Sequence, residues 1–263
     1  MMLKNKVAVV YGAAGHIGAA VARAFADEGA TVYVTGRQLE PVEAIASAAR
    51  AAGRRAEAAQ VDALDEAAID RHLQYVVEQA GQVDISFNAA GFSNAKALGV
   101  PLVELDLERF RGPVKEYATS YFLTARLAAR RMMPRKSGVI MTVTALPGRT
   151  GTALNGGYGS AQAAKEALTR DLSTELAPHG IRVVSLRPHG MPETRTRRES
   201  FELKASRTGM SWDQFTSYLA NWSHTRRVME LDEVANAAVF VASDRASGMT
   251  GTTVNLTMGG VPD

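Results

Sequence analysis

Three glycines, in Gly12-Ala13-Ala14-Gly15-His16-Ile17-Gly18, follow the apolar run Val7-Ala8-Val9-Val10 and lead into an alanine-rich stretch. Free of side chains, such a loop lets backbone amides approach a pyrophosphate, and a helix starting there turns its positive end to the anion. Any tight strand-to-helix turn can use a glycine, but this placement, with a second strand following, favours a nucleotide. Further on, Tyr158 follows Gly156-Gly157 and precedes Gln162 by four residues. On a helix the two share a face, one turn apart. A phenol placed there can exchange a proton with a ligand or simply pack against its neighbours.

Both features need elements to hold them. Short apolar runs predict strands near 6–11, 31–35, 55–60, 83–87, 138–144, 181–186 and 251–256. Amphipathic stretches predict helices near 17–28, 39–52, 65–79, 104–112, 114–133, 157–177 and 231–242. The alternation implies βαβ crossovers and an α/β fold, a parallel seven-stranded sheet covered on both faces. No repeat or linker interrupts residues 1–263, so one domain is expected. Gly112-Pro113 is expected to break the helical region between the fourth and fifth strands. Residues 188–228 carry no strand signal and should lie at the carboxyl edge of the sheet, where such folds bind ligands.

Composition narrows the functions. The 263 residues are 46% hydrophobic, yet no apolar run reaches the roughly 18 residues of a membrane span. Strand-like sequence from Lys6 leaves no room for a signal peptide, so a cytoplasmic protein is expected. No cysteine is present, which excludes disulfides and thiolate chemistry. The net charge of +3 is mild and the basic residues form no run, so neither nucleic acid nor membrane is an expected partner.

The glycine loop, Asp62 in Val61-Asp62-Ala63, Asn88-Ala89-Ala90-Gly91, and Glu233-Val234-Ala235 through Thr250-Gly251 together resemble a short-chain dehydrogenase/reductase of the compact, single-domain branch. The resemblance covers nearly all 263 residues and implies a Rossmann-type doubly wound sheet. It also implies a cofactor site at Gly12, Gly15, His16, Ile17, Gly18, Asp62 (toward the adenine), Asn88, Ala89, Gly91 and Thr194 (toward the nicotinamide). Tyr11 and His16 depart from the family's loop, and the glycine spacing is that of its extended relatives. His16 points to water, touches phosphate, or partly blocks the pyrophosphate path by its added bulk. At the end of the second strand, Gly36-Arg37 offers no carboxylate for a ribose 2′-hydroxyl, and Arg37 can pair with a 2′-phosphate. That leans to NADP, with NAD possible.

The resemblance gives Tyr158 the role of proton exchanger. In relatives a serine, a lysine four residues after the tyrosine, and an asparagine support it. Here Ala145 falls at the serine, Gln162 at the lysine and Tyr117 at the asparagine, leaving Thr144 as the nearby hydroxyl. Lys165, about 10.5 Å along the axis from Tyr158, is expected to be too far to serve both phenol and ribose. Without a cation, Tyr158 would stay near a pKa of about 10, with about one part in a thousand ionised at neutral pH. The reading is a slow reductase of a ketone-like molecule; a non-redox protein on the same scaffold, lyase, cyclase or binding subunit, is the alternative.

Segment 188–228 resembles the family's substrate lid, with His189 inserted after Pro188. Its Arg195, Arg197, Arg198, Lys204, Arg207, Arg226 and Arg227 outnumber four acids and carry an excess equal to the chain's net charge. An anionic or carrier-bound substrate fits this, and so does a solvated helical lid. Trp212, Phe215, Tyr218, Leu219 and Trp222 recur at helical spacing, as a pocket roof or the lid's own packing face. The family resemblance also implies a homo-oligomer, tetramer or dimer.

Overall fold

The computed structural model describes residues 1–261, with the side chains of Thr196, Lys204, Arg207 and Thr208 outside the description; the charge expectations for Lys204 and Arg207 therefore lie outside the described residues. All seven expected strands form: β1 (Val7–Tyr11), β2 (Thr31–Gly36), β3 (Arg55–Gln60), β4 (Ile85–Asn88), β5 (Gly138–Val143), β6 (Ile181–Pro188) and β7 (Thr252–Leu256). They pair in parallel in the order β3-β2-β1-β4-β5-β6-β7. The order reverses direction between β1 and β4, and that switch point opens a crevice at the carboxyl ends of the strands. β1 is buried at all five positions, as a doubly covered central strand should be.

Helices α1 (His16–Asp27), α2 (Leu39–Ala51), α3 (Glu66–Ala80), α4 (Leu107–Met132), α5 (Tyr158–Leu176), α6 (Arg195–Thr208), α7 (Trp212–Asn221) and α8 (Leu231–Ala242) complete the chain. α1 packs on α8, and α4 packs on both α3 and α5, so each face of the sheet has its own apolar layer. Local signals set several boundaries. Asp65 and Asp106 accept amide hydrogen bonds at the starts of α3 and α4, and Ser211 and Gln214 close a capping box on α7.

One boundary is corrected. Gly112-Pro113 does not divide the region into helices 104–112 and 114–133; α4 runs through it from Leu107. An interior proline costs a helix about 3 kcal/mol. Every buried residue of α4 lies at or beyond Pro113, including Tyr117, Tyr121, Leu123, Leu127 and Met132. Each such side chain gains about 1.5–3 kcal/mol on burial, so tertiary packing outweighs the break. No helix among the described residues is long and apolar enough to cross a membrane.

Candidate active site

The glycine loop is fixed by contact as well as by backbone angle. Gly12 has φ +71°, and a Cβ there would lie 2.6 Å from Ala90 Cα and 2.7 Å from the Ala89 carbonyl oxygen. A Cβ on Gly18 would lie 2.5 Å from the Gly12 carbonyl oxygen. These glycines let the loop nest between α1 and the end of β4. Gly15 is the N-cap of α1 and is exposed; no side chain caps this helix and no acid occupies its first turn. The first-turn N–H groups are thus left for a ligand, and an anion suits them. His16 is exposed at the first helical position and Ile17 lines the crevice.

At the end of β2, Gly36 packs against Val42 and Arg37 is exposed; its carbonyl accepts from Gln60 Nε2. Asp62 Oδ1 accepts from the Leu64 amide at 3.0 Å. Asn88 is buried and acts as a latch: Nδ2 donates to the Ser120 carbonyl, Ser120 Oγ and Thr124 Oγ1, and Oδ1 accepts from the Ala90 amide. Its amide is spent on fixing β4 to α4, so the crevice here is lined by Ala89, Ala90 and Gly91. These residues fit a dinucleotide through uncapped amides and close backbone approach.

The crevice deepens into a cavity of about 570 Å³, closed by the ends of β5 and β6 and roofed by α6 and α7. Tyr158 opens α5 and lines this cavity with Gln162 one turn on. Burial pushes the Tyr158 phenol above its ordinary pKa, with Tyr117 adding to the rise and the Arg197 guanidinium partly offsetting it. That corrects the expectation of an unshifted phenol: without a paired cation, desolvation of the charged form outweighs the partial offset from Arg197.

Tyr117 lies edge-on to Tyr158 at 5.6 Å between ring centroids. Its hydroxyl donates to the Phe92 carbonyl and accepts from the Phe92 amide, so the ring is fixed rather than free to relay protons. Lys165 is buried, donates to the Val143 carbonyl and sits 5.6 Å and 5.9 Å from the ring centres of Tyr117 and Tyr121. Desolvation lowers its pKa to about 7. Its amine is held by these contacts at the edge of the cavity, and among the described residues it makes no hydrogen bond to Tyr158 or Gln162.

Thr144 lines the cavity, but its hydroxyl is 3.0 Å from Glu166 Oε1 and 3.3 Å from the Leu186 carbonyl. Glu166 in turn receives a two-pronged hydrogen bond from Arg187, both contacts 2.8 Å. Ala145 is buried without a polar group. Sequence reasoning did not single out the Glu166–Arg187 pair, because each residue lies within an otherwise ordinary helix or strand pattern. Nor did it single out Arg197 among the lid's basic residues: the charge count was legible, but which guanidinium turns inward depends on how α6 seats. Thr194 caps the start of α6 by backbone position, and its hydroxyl donates to the Met191 carbonyl. The five lid aromatics and aliphatics divide: Phe215 and Leu219 are buried, whereas Tyr218 and Trp222 are partly exposed at the rim, and Phe215 packs on Phe201 and Trp212. Both expected roles, roof and packing face, are realised.

A family profile described as enoyl-(acyl carrier protein) reductase matches residues 12–260. A cis-4-hydroxycyclohexanecarboxylate dehydrogenase from Sinomonas cyclohexanicum is 34% identical over 247 residues, 94% of this chain and 93% of the relative. A 3-oxoacyl-[acyl-carrier-protein] reductase from Escherichia coli is 29% identical and covers 98% of both chains. Among solved structures, an NAD+-bound xylitol dehydrogenase superposes with a TM-score of 0.89 at 25% identity, covering 97% of this chain and 99% of that one. An actinorhodin polyketide ketoreductase with NADPH gives 0.87 at 25% identity, covering 95% of each. The chain belongs to the short-chain dehydrogenase/reductase family, and its relatives are oxidoreductases, which does not favour the non-redox alternative.

Proposed function

We propose that the protein is an NADP(H)-preferring reductase of a small ketone-like molecule, with Tyr158 as proton donor. The observation that carries this is a phenol kept protonated by burial on the wall of a cavity at the sheet's switch point. The bound dinucleotide would supply the hydride that adds to the carbonyl carbon. Tyr158 Oη gives its proton to the carbonyl oxygen, an alcohol forms, and water returns the proton to the phenolate. A raised pKa suits this direction, because a neutral phenol can donate while little phenolate is available to deprotonate an alcohol.

The uncapped amides of α1, with Gly12, Gly15 and Gly18, support pyrophosphate binding. Asp62, Asn88 (through the loop it fixes), Ala89, Gly91 and Thr194 are proposed to shape the rest of the cofactor site. Arg37, exposed beside Gly36, supports the preference for a 2′-phosphate. Gln162 is proposed to reach the ribose. Thr144, tied to Glu166, is proposed to act on the substrate oxygen only if that bond is exchanged. The relatives named for a ring alcohol and for an oxoacyl thioester both turn over a secondary alcohol or its ketone, which supports the reaction type.

Calorimetric titration should show micromolar NADPH and weaker NADH. Tyr158→Phe should then lower ketone reduction roughly 10²–10⁴-fold while NADPH affinity is kept. Unchanged turnover in that variant would remove Tyr158 from the chemistry, and failure of both dinucleotides to bind would remove the redox reading altogether.

A further inference from the structure

Arg197 lies in the first turn of α6, half-buried, on the cavity wall beside Tyr158. No carboxylate among the described residues lies within ion-pair distance of it. Glu199, on the same helix, lies 3.7 Å from Arg195 and accepts from Ser93. The hydrogen bond that Arg197 does make is from Nη2 to His189 Nδ1, 3.2 Å. Of five guanidinium donors, one is thereby accounted for.

His189 carries the argument further. It is 3% exposed and lines the same cavity, its Nε2 is enclosed by protein, and the Leu219 backbone acts on the ring as a hydrogen-bond partner. With Nδ1 accepting from Arg197, the ring proton of a neutral imidazole must sit on Nε2. Burial and the adjacent guanidinium keep the ring neutral, lowering its pKa to about 4. A half-desolvated guanidinium with four donors unaccounted for is itself costly. That cost falls if an anionic acceptor enters, and the neighbouring wall side chains Leu146, Met191, Leu203, Phe215 and Leu219 are apolar.

We propose that Arg197 and His189 form a carboxylate subsite, and that the substrate is a small apolar ketone, or the corresponding secondary alcohol, bearing a carboxylate. Arg197 donates to the carboxylate oxygens while His189 Nδ1 holds the guanidinium in place, the aliphatic side chains hold the hydrocarbon body, and the carbonyl faces Tyr158. A bound carboxylate also offsets the Arg197 field at Tyr158, which keeps the phenol protonated for reduction. The inference rests on the reductase reading for the identity of the reacting group but not for the anion contact.

Two measurements separate the two. With NADPH, kcat/KM for 4-oxocyclohexanecarboxylate should exceed that for cyclohexanone about 10- to 100-fold, chiefly through KM, as expected for charge-assisted hydrogen bonds. In Arg197→Gln the gap should collapse, and in His189→Phe it should shrink. Equal turnover of the two ketones by the wild type overturns the subsite and leaves the reductase standing. If neither ketone is reduced, calorimetry decides: cyclohexanecarboxylate should bind the NADPH-loaded wild type at least 10-fold tighter than the neutral cyclohexylmethanol. Equal binding overturns the subsite. Preference that persists in Arg197→Gln overturns the assignment to this guanidinium.

Discussion

At position 162 an amide stands where a cation would lower the pKa of the neighbouring phenol, and the surroundings do not replace it. Lys165 is turned to the Val143 carbonyl and the Tyr117 and Tyr121 rings, and Arg197 only partly offsets the burial of Tyr158. The sign of the resulting pH dependence can be worked out. In the proposed reaction, reduction needs the protonated phenol, whose pKa lies above the ordinary value, so its rate should be flat from neutral pH to about pH 9. Gln162→Lys places an ammonium one turn from the phenol and should lower its pKa. The reductive kcat should then decline as pH rises through the new pKa, while alcohol oxidation, which needs phenolate, rises roughly 10-fold or more. Parallel pH–rate profiles of the two proteins check this; superimposable profiles would mean that Tyr158 does not titrate in the reaction.

Between elements, the buried Glu166–Arg187 pair joins α5 to β6, and Thr144 attaches the end of β5 to the same carboxylate. Three elements that surround the cavity are therefore tied through one group. Glu166→Ala removes both charge-assisted bonds from Arg187 in a buried setting and should cost about 3–5 kcal/mol. Replacing both residues with leucine and methionine should recover most of that loss, since no charge is then stranded. Urea midpoints of the single and double variants test it. The pair was not legible in the sequence, whereas strand and helix order was, because period-2 and period-3.6 patterns report burial locally and say nothing of which buried charges meet. Pro113 failed as a breaker for a related reason: propensity is local, and the side chains that hold α4 together are paired with α3, α5 and the sheet.

For the whole molecule, the glycine loop, the switch point and the position of Tyr158 were readable because backbone approach and chain order dictate them. The reactive character of the cavity was less so, since it depends on lid side chains arriving from a segment with little patterning of its own. Segment 188–228, if it is the substrate lid its resemblance implies, also has a consequence in time. Thr194, proposed to hold the nicotinamide, caps α6, and Arg197, proposed to hold the substrate, follows three residues later. On this proposal one turn would serve both molecules, and coenzyme held at Thr194 would steady Arg197 for the substrate. Turnover should follow a compulsory sequence, coenzyme first to arrive and last to leave. Product-inhibition patterns read this directly: oxidised coenzyme should compete with reduced coenzyme at every ketone concentration, whereas the alcohol product should not, and the reverse pattern would mean the lid seats on substrate alone.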